Sequence, residues 1–179
     1  MPTRQLLISL LLVLACCACT RQDRENNVPA TATGTGTAAA ERPRNSVDFV
    51  KATALPTDIK QNESADAIVR VTVQKGFHIN ANPATFPYLI ATELSVGQAK
   101  GTSVSFIVYP DPKTKTFSFA DKPLAVYEGT MDLKVRLKAD KTSPAGTQNL
   151  SAKLRVQACD DQVCYAPGTL DVSIPLNIK

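Results

Sequence analysis

The chain has 179 residues, a formal net charge of +4, one histidine and no tryptophan. The charge excess is small, and the basic residues alternate along predicted strands without clustering, so we expect no nucleic-acid partner. A single histidine excludes a multi-histidine metal site within one chain, and we expect neither a metal nor another cofactor.

Residues 1–19 predict a lipoprotein signal peptide. Arg4 supplies a positive amino-terminal region, and residues 6–15 form an apolar run with one serine. This run is shorter than the roughly 20 residues that a transmembrane helix needs, which is typical of a signal peptide. Three cysteines follow, where a bacterial lipobox places its lipidated cysteine. We predict lipidation at Cys16, with Cys19 as the alternative, against an ordinary cleaved signal with incidental cysteines.

Residues 20–45 predict a flexible tether. Ala, Thr and Gly dominate the segment, and Val28 is its only large apolar residue. Such a composition cannot bury enough apolar surface to offset the loss of chain entropy. Behind a lipidated cysteine, the tether would hold a domain off a membrane surface. We therefore expect a bacterial periplasmic protein that is lipid-anchored to the inner or outer membrane, with no membrane-spanning segment after the signal.

The remaining residues, 46–179, predict one all-β domain. Apolar and polar side chains alternate with a period of two, which is typical of strands with one buried and one solvated face. The strongest alternation covers residues 69–73, 131–137, 150–158 and 170–178. Weaker patterns predict strands at residues 47–51, 94–96, 103–109 and 117–119. About eight short strands with Pro, Gly and Asp turns predict an immunoglobulin-like antiparallel β-sandwich.

Two stretches rich in aromatic and turn-forming residues interrupt this pattern, at residues 76–88 and 117–127. We expect the aromatic side chains to close the ends of the sandwich, and Asn and Pro to shape turns. The only histidine, His78, lies in the first stretch. We expect it to be a hydrogen-bonded structural residue and not a catalytic base.

Cys159 and Cys164 are the only cysteines beyond the first twenty residues, and four residues separate them. They lie between the strands predicted at residues 150–158 and 170–178. If those strands pair, the two thiols lie at one end of a hairpin. An exported protein meets an oxidising compartment, in which such a pair can form a disulfide.

The residues around the pair leave its role open. Ala158 closes the inward-facing series of its strand, so we expect Cys159 on the solvent side, available for exchange. Asp160 and Asp161 should raise the pKa of nearby thiols, which argues against a thiolate-activated attacker. A metal site built from the two cysteines and His78 would be short of ligands. On these grounds a structural disulfide is favoured, with a redox-active one as the alternative.

The stretch QACDDQVCYAP at residues 157–167, preceded by KLRV, resembles the active-site hairpin of the N-terminal domain of the thiol:disulfide interchange protein DsbD. GFHINANP at residues 76–83 and the segment at residues 117–129 resemble other stretches of that family. The resemblance covers residues 47–179. It implies an immunoglobulin-like fold and two cysteines that relay electrons to periplasmic oxidoreductases.

The resemblance also implies a role for each cysteine: Cys164 would form the mixed disulfide with a partner, and Cys159 would resolve it. It implies a cap loop that shields the pair, matched here by Asp121, Lys122, Pro123 and Leu124. The best-known members have five residues between the cysteines, an aromatic residue in the cap, and Tyr-Pro-Pro after the second cysteine. This chain has four residues, no aromatic among those cap positions, and Tyr-Ala-Pro.

We therefore predict thiol-disulfide exchange through Cys159 and Cys164. The sequence does not contain the membrane electron-transfer and thioredoxin-like domains that DsbD fuses to this one, so we expect partners in trans. These would be exported thiol-disulfide oxidoreductases or a membrane electron-relay protein. The alternative is a non-enzymatic binding or scaffold domain with a structural disulfide, and a metal-handling lipoprotein is a third interpretation.

Overall fold

The computed structural model describes residues 44–179. The predicted signal peptide, both lipidation candidates (Cys16 and Cys19) and the predicted tether up to residue 43 lie outside the described residues. Within the described part of the chain, no helix has the length and apolar character needed to cross a membrane.

Twelve β-strands and one 3-10 helix, Ser46–Asp48, make up the described fold. The strands are β1 (Val50–Ala54), β2 (Thr57–Ile59), β3 (Ser64–Val73), β4 (His78–Asn80), β5 (Glu93–Val96), β6 (Thr102–Val108), β7 (Lys113–Lys115), β8 (Leu124–Tyr127), β9 (Thr130–Ala139), β10 (Gly146–Val156), β11 (Ala158–Cys159) and β12 (Gly168–Ile178). They form three four-stranded sheets, which confirms the predicted all-β class.

Two of the sheets share one apolar core. Their strand orders are β1-β3-β9-β6 and β2-β12-β10-β5, and inward-facing residues of both belong to a single buried cluster. The alternation is visible in β3, where Val69, Val71 and Val73 are buried while Arg70 and Thr72 are exposed. All pairings are antiparallel except that of β2 with β12. This confirms the predicted immunoglobulin-like antiparallel sandwich, with that one exception.

The strand predicted at residues 117–119 is wrong, and the strand predicted at residues 47–51 is confirmed only at residues 50–51, which belong to β1. Residues 117–119 form a turn between β7 and β8, in which Ala120 N–H donates to Phe117 C=O at 3.2 Å. Residues predicted to begin a strand at 47 instead form the 3-10 helix, because the Asn45 side chain accepts a hydrogen bond from Val47 N–H and caps it. Asn45 therefore belongs to the fold, although the tether was predicted to include it.

The third sheet, in the order β11-β4-β8-β7, positions the cysteines. In β4 and β11, Ile79 lies opposite Ala158, and both belong to the main core. Because side chains alternate across a strand, the next pair, His78 opposite Cys159, points to the other face. Phe117 stacks on His78 at that second face, with ring centroids 4.2 Å apart.

Candidate functional site

The two cysteines lie in a short ribbon that continues the β10–β12 hairpin. β10 and β12 pair up to Val156 opposite Gly168. Beyond that point Cys159 and Cys164 face each other in an antiparallel bridge and are joined by a disulfide. The predicted position of the pair at the end of a hairpin is thus confirmed.

Cys159 is buried, and the expectation that it faces solvent is wrong. Its side chain is 0% exposed, whereas Cys164 is exposed. The expectation assumed that the strand continues through residue 158 with unbroken alternation. In the structure β10 ends at Val156, Gln157 interrupts it, and β11 pairs with β4 of the third sheet. That sheet is covered on both faces, so both residues of β11 are buried.

His78 is buried beside Cys159 and is not the hydrogen-bonded residue that we expected. Its side chain is 1% exposed, and Nε2 has no hydrogen-bond partner within the described residues. Burial lowers the pKa of His78 below its usual value of 6.5, and the positive charge of Lys115 lowers it further. The imidazole is therefore neutral at neutral pH.

Asp160 orders the four-residue loop between the cysteines. Its Oδ1 accepts hydrogen bonds from Gln162 N–H at 2.8 Å and Val163 N–H at 2.9 Å. Its Oδ2 accepts from the Tyr165 hydroxyl at 2.8 Å. The Val163 and Gln162 amides, and then Tyr165, hold the pKa of Asp160 below its usual value. The carboxylate thus has a structural role in the loop, which the local sequence pattern does not indicate.

The 3-10 helix holds the ribbon from its base. Ser46 is fully buried, and its hydroxyl donates to Ala166 C=O at 2.7 Å and accepts from Ala158 N–H at 2.9 Å. Beside it, Phe49 stacks on Phe77 with centroids 4.0 Å apart and also contacts the Tyr165 ring at 4.6 Å. Both strands of the ribbon are therefore anchored independently of the disulfide. The sequence carries no signal that assigns this role to Ser46.

A polar network fixes a second loop next to the ribbon. Gln157 Oε1 accepts hydrogen bonds from Ile90 N–H and from Asn80 Nδ2, both at 3.1 Å. Asn80 Nδ2 also donates to Ile90 C=O at 3.0 Å. The residue that interrupts β10 thus ties the end of the 81–92 loop to the base of the cysteine ribbon.

An open groove of about 320 Å³ borders the exposed cysteine. We call it the Cys164 groove, and its lining includes Tyr88, Leu89, Phe119, Ala120, Val163 and Cys164. Three of these side chains are large, apolar and exposed: Tyr88 is 72% exposed, Val163 52% and Phe119 42%. The aromatic stretches were expected to close the sandwich ends, and Phe117 is indeed buried. Tyr88 and Phe119 instead present apolar surface in the groove that Cys164 also lines.

The segment predicted as a cap loop lies beside this groove. Leu124 lines the groove and is buried at the start of β8. Asp121, Lys122 and Pro123 are exposed and do not contribute to the lining. Phe119 and Ala120 form that part of the wall instead, so an aromatic ring borders the groove although the four predicted positions contain none.

Comparison with known proteins gives a family match across most of the chain. The family model described as "Thiol:disulfide interchange protein DsbD, N-terminal" matches residues 46–175, which include His78 and both cysteines of the ribbon. No curated protein matches at a significant level.

Solved structures show weaker likenesses. The N-terminal periplasmic domain of ScsB from Proteus mirabilis is 19% identical with a TM-score of 0.47, over 72% of this chain and 45% of that chain. This chain thus spans less than half of that protein. The reduced DsbD N-terminal domain of Neisseria meningitidis is 15% identical with a TM-score of 0.45, over 72% of this chain and 86% of that one. A cohesin from Pseudobacteroides cellulosolvens has the same TM-score of 0.45 at 7% identity, over 73% of this chain and 92% of that one. These TM-scores therefore carry no information on function.

Proposed function

This chain belongs to the family of the N-terminal domain of the thiol:disulfide interchange protein DsbD, and on that premise we propose that it exchanges disulfides with other exported proteins. Cys164 is the sulfur that meets the partner, and Cys159 is the sulfur that resolves the mixed disulfide. The partners are exported thiol-disulfide oxidoreductases or a membrane electron-relay protein. A lipid on Cys16 or Cys19 holds the domain at the periplasmic surface of a membrane.

The observation that carries this proposal is the difference in exposure between the two cysteines. Cys164 is exposed, while Cys159 is 0% exposed. A partner thiolate can therefore approach only the sulfur of Cys164. The new partner–Cys164 bond forms as the Cys159–Cys164 bond breaks, and the electron pair leaves on the Cys159 sulfur. In the opposite direction Cys159 attacks Cys164, and the electron pair leaves with the sulfur of the partner.

The way in which the ribbon is anchored also supports a working disulfide. A bond that closes so short a loop contributes only about 2 kcal/mol through chain entropy. The ribbon has its own backbone hydrogen bonds, with Tyr165 N–H donating to Ala158 C=O at 2.8 Å and Asp160 N–H to Val163 C=O at 3.0 Å. Ser46 and the Asp160 side chain add further anchors. The disulfide can therefore open while the surrounding fold stays in place.

The Cys164 groove supports a protein partner. Tyr88, Phe119 and Val163 are large exposed apolar side chains gathered next to one sulfur. Contiguous exposed apolar surface marks interaction sites in soluble domains. A partner that presents its own cysteine on an apolar surface would cover this groove while its sulfur meets Cys164. Residues 121–123 lie beside the groove, and movement of this segment would change access to the sulfur.

Trapping of a mixed disulfide tests the proposal. The Cys159→Ala variant keeps Cys164 but cannot resolve a mixed disulfide. Native expression should therefore yield disulfide-linked complexes that a reducing agent separates. The matched Cys164→Ala variant keeps only the buried sulfur and should trap little or nothing. Equal trapping by the two variants would contradict the assigned roles, and no trapping by either would contradict the exchange activity.

The reduction potential separates this function from that of a scaffold domain with a structural disulfide. A working disulfide should have a potential above about −300 mV, whereas a structural bond lies below that value. Equilibration of the purified protein with glutathione and dithiothreitol buffers measures the potential. A value below this limit would favour the scaffold function.

A further inference from the structure

His78 has a buried nitrogen with no hydrogen-bond partner, and the exchange described above does not use it. The side chain is 1% exposed, and Nε2 is unpartnered within residues 44–179. Buried polar atoms in folded proteins nearly always have a partner, and each exception needs an explanation, of which a redox or catalytic role is one. His78 is also the only histidine of the chain.

The residue directly opposite His78 in the third sheet is Cys159. Directly opposite residues in an antiparallel pair have Cβ atoms about 4.5–5.5 Å apart on the same face. In the disulfide state, the Cys159 sulfur carries no proton and cannot donate to Nε2. Reduction places a thiol proton on that sulfur. Only the reduced protein therefore has a donor for Nε2 on the residue opposite His78.

The surroundings favour a neutral imidazole. Phe117 stacks on the ring, and burial lowers the pKa of His78. The charged groups that act on the ring are Lys115, Glu128, Asp160 and Asp161. The ammonium of Lys115 is bound to a Glu128 carboxylate oxygen at 2.6 Å, and the Asp160 carboxylate accepts hydrogen bonds within its own loop. A neutral imidazole with its proton on Nδ1 leaves the Nε2 lone pair free to accept.

Building on the proposed disulfide exchange, we propose that Nε2 of His78 accepts the thiol proton of Cys159 as Cys159 resolves the mixed disulfide on Cys164. The Cys159–Cys164 bond forms, the bond from Cys164 to the partner breaks, and the electron pair leaves with the partner sulfur. The proton on His78 then passes to that thiolate or to solvent. In the opposite direction, His78 takes up a proton from the partner thiol or from solvent and passes it to the departing Cys159 sulfur. This arrangement gives the buried Cys159 sulfur a base at close range, so that its thiol can react without direct contact with solvent.

Nitrogen NMR of the single histidine tests the contact directly. In protein labelled with ¹⁵N-histidine, the Nε2 resonance should shift between the oxidised and reduced states, because Nε2 gains a hydrogen bond from the Cys159 thiol. Reduced Cys164→Ala keeps that thiol and should resemble the reduced wild type. Cys159→Ala removes it and should resemble the oxidised protein. Identical Nε2 resonances in the oxidised wild type, the reduced wild type and the two variants would overturn the contact.

Single-turnover kinetics test the proton transfer. Reduced protein is mixed with oxidised glutathione, and acid quenching with mass spectrometry follows the glutathionylated intermediate and its closure to the disulfide. The His78→Gln variant should close about a hundredfold more slowly at pH 7, because general-base catalysis contributes about 10²- to 10⁴-fold. Its first step, attack by Cys164, should stay within about twofold of the wild type, because that sulfur does not depend on His78. The rate of closure should also rise more steeply with pH in the variant than in the wild type.

The outcomes separate this inference from the function on which it rests. If wild-type Cys164 forms no mixed disulfide with glutathione, the exchange function fails. If the wild type and His78→Gln close at equal rates, the exchange function stands and the role of His78 is overturned. If His78→Gln does not fold, the NMR comparison still decides, because it uses the native histidine.

Discussion

The sandwich and the third sheet are stabilised by different kinds of interaction. The sandwich buries long rows of aliphatic side chains from two sheets in one continuous cluster. The outer face of the third sheet has a much smaller cluster, built on Phe117, Leu124 and Val126, and it buries the polar side chains of His78 and Asn80 beside it. Hydrophobic burial therefore dominates in the sandwich, whereas individual hydrogen bonds contribute a larger share at the cysteine end. We therefore expect the disulfide to open with little change in the main core.

The largest expected effect is on the sandwich itself. Leu154→Ala removes a side chain that is 0% exposed in β10 and should lower the free energy of unfolding by about 2–5 kcal/mol. Denaturant unfolding measures this loss, while the folded fraction should keep the reduction potential of the wild type. As a control, Val163→Ala at the exposed ribbon should change stability by less than about 0.5 kcal/mol. Similar losses from the two variants would contradict the contrast between the regions.

A smaller effect is expected where the ribbon is anchored. Ser46→Ala leaves Ala158 N–H without its hydrogen-bond partner and should cost about 1–3 kcal/mol. Hydrogen exchange should show the loss of protection at residues 158–166 before any loss in the sandwich. Ser151→Ala, an exposed serine of β10, is the matched control and should leave the exchange pattern unchanged. Uniform loss of protection across both regions would show that the cysteine end is not an independent unit.

The groove should affect recognition more than stability. Val163→Ser should slow mixed-disulfide formation with the protein partner about tenfold, because loss of a well-packed apolar contact costs more than about 1 kcal/mol. Its reaction with glutathione should be unchanged, since a small thiol does not need the apolar surface. Val108→Ser, at an exposed valine of β6, serves as the control with no effect on either reaction. Equal slowing with partner and glutathione would mean that the substitution acts on the sulfur and not on docking.

The smallest effect concerns pH. The pKa of His78 is lower in the folded protein than the usual value of 6.5, so below pH 6.5 the unfolded state binds more protons. The free energy of unfolding should therefore fall as the pH drops below 6.5, and this loss is absent above that pH. Because the chain has one histidine, His78→Phe should remove most of the dependence between pH 6.5 and about pH 5, where carboxylates begin to titrate. Unfolding at a series of pH values checks this, and an identical slope in the variant would contradict the assignment.

Much of the sandwich could be predicted because its signal is local. The two-residue alternation in β3, β9 and β12 depends only on neighbouring residues, and the structure confirms it. The prediction failed where a capping side chain or a distant strand decides the local structure. Asn45 turns residues 46–48 into a 3-10 helix, and the pairing of β11 with β4 overrides the parity that placed Cys159 in solvent.

The sequence predicts which residues belong to the candidate site better than it predicts how they are arranged. The cysteine pair, His78 and both aromatic stretches stand out in the sequence, and the structure brings them together around the third sheet. Alternation could not show that Phe119 and Tyr88 line a groove while Phe117 is buried, because these residues lie in loops. Nor could it identify Ser46, whose partners Ala158 and Ala166 lie more than a hundred residues away.

The sequence by itself determined the all-β class and the placement of the two cysteines at the end of a hairpin, because both follow from short-range periodicity and spacing. Only the tertiary structure decided which cysteine is accessible and what faces the other. Those properties depend on β4, a strand far away in the sequence, which pairs with β11 and places His78 opposite Cys159. The physical reason is that burial depends on every element packed against a residue, whereas alternation records only the strand to which that residue belongs.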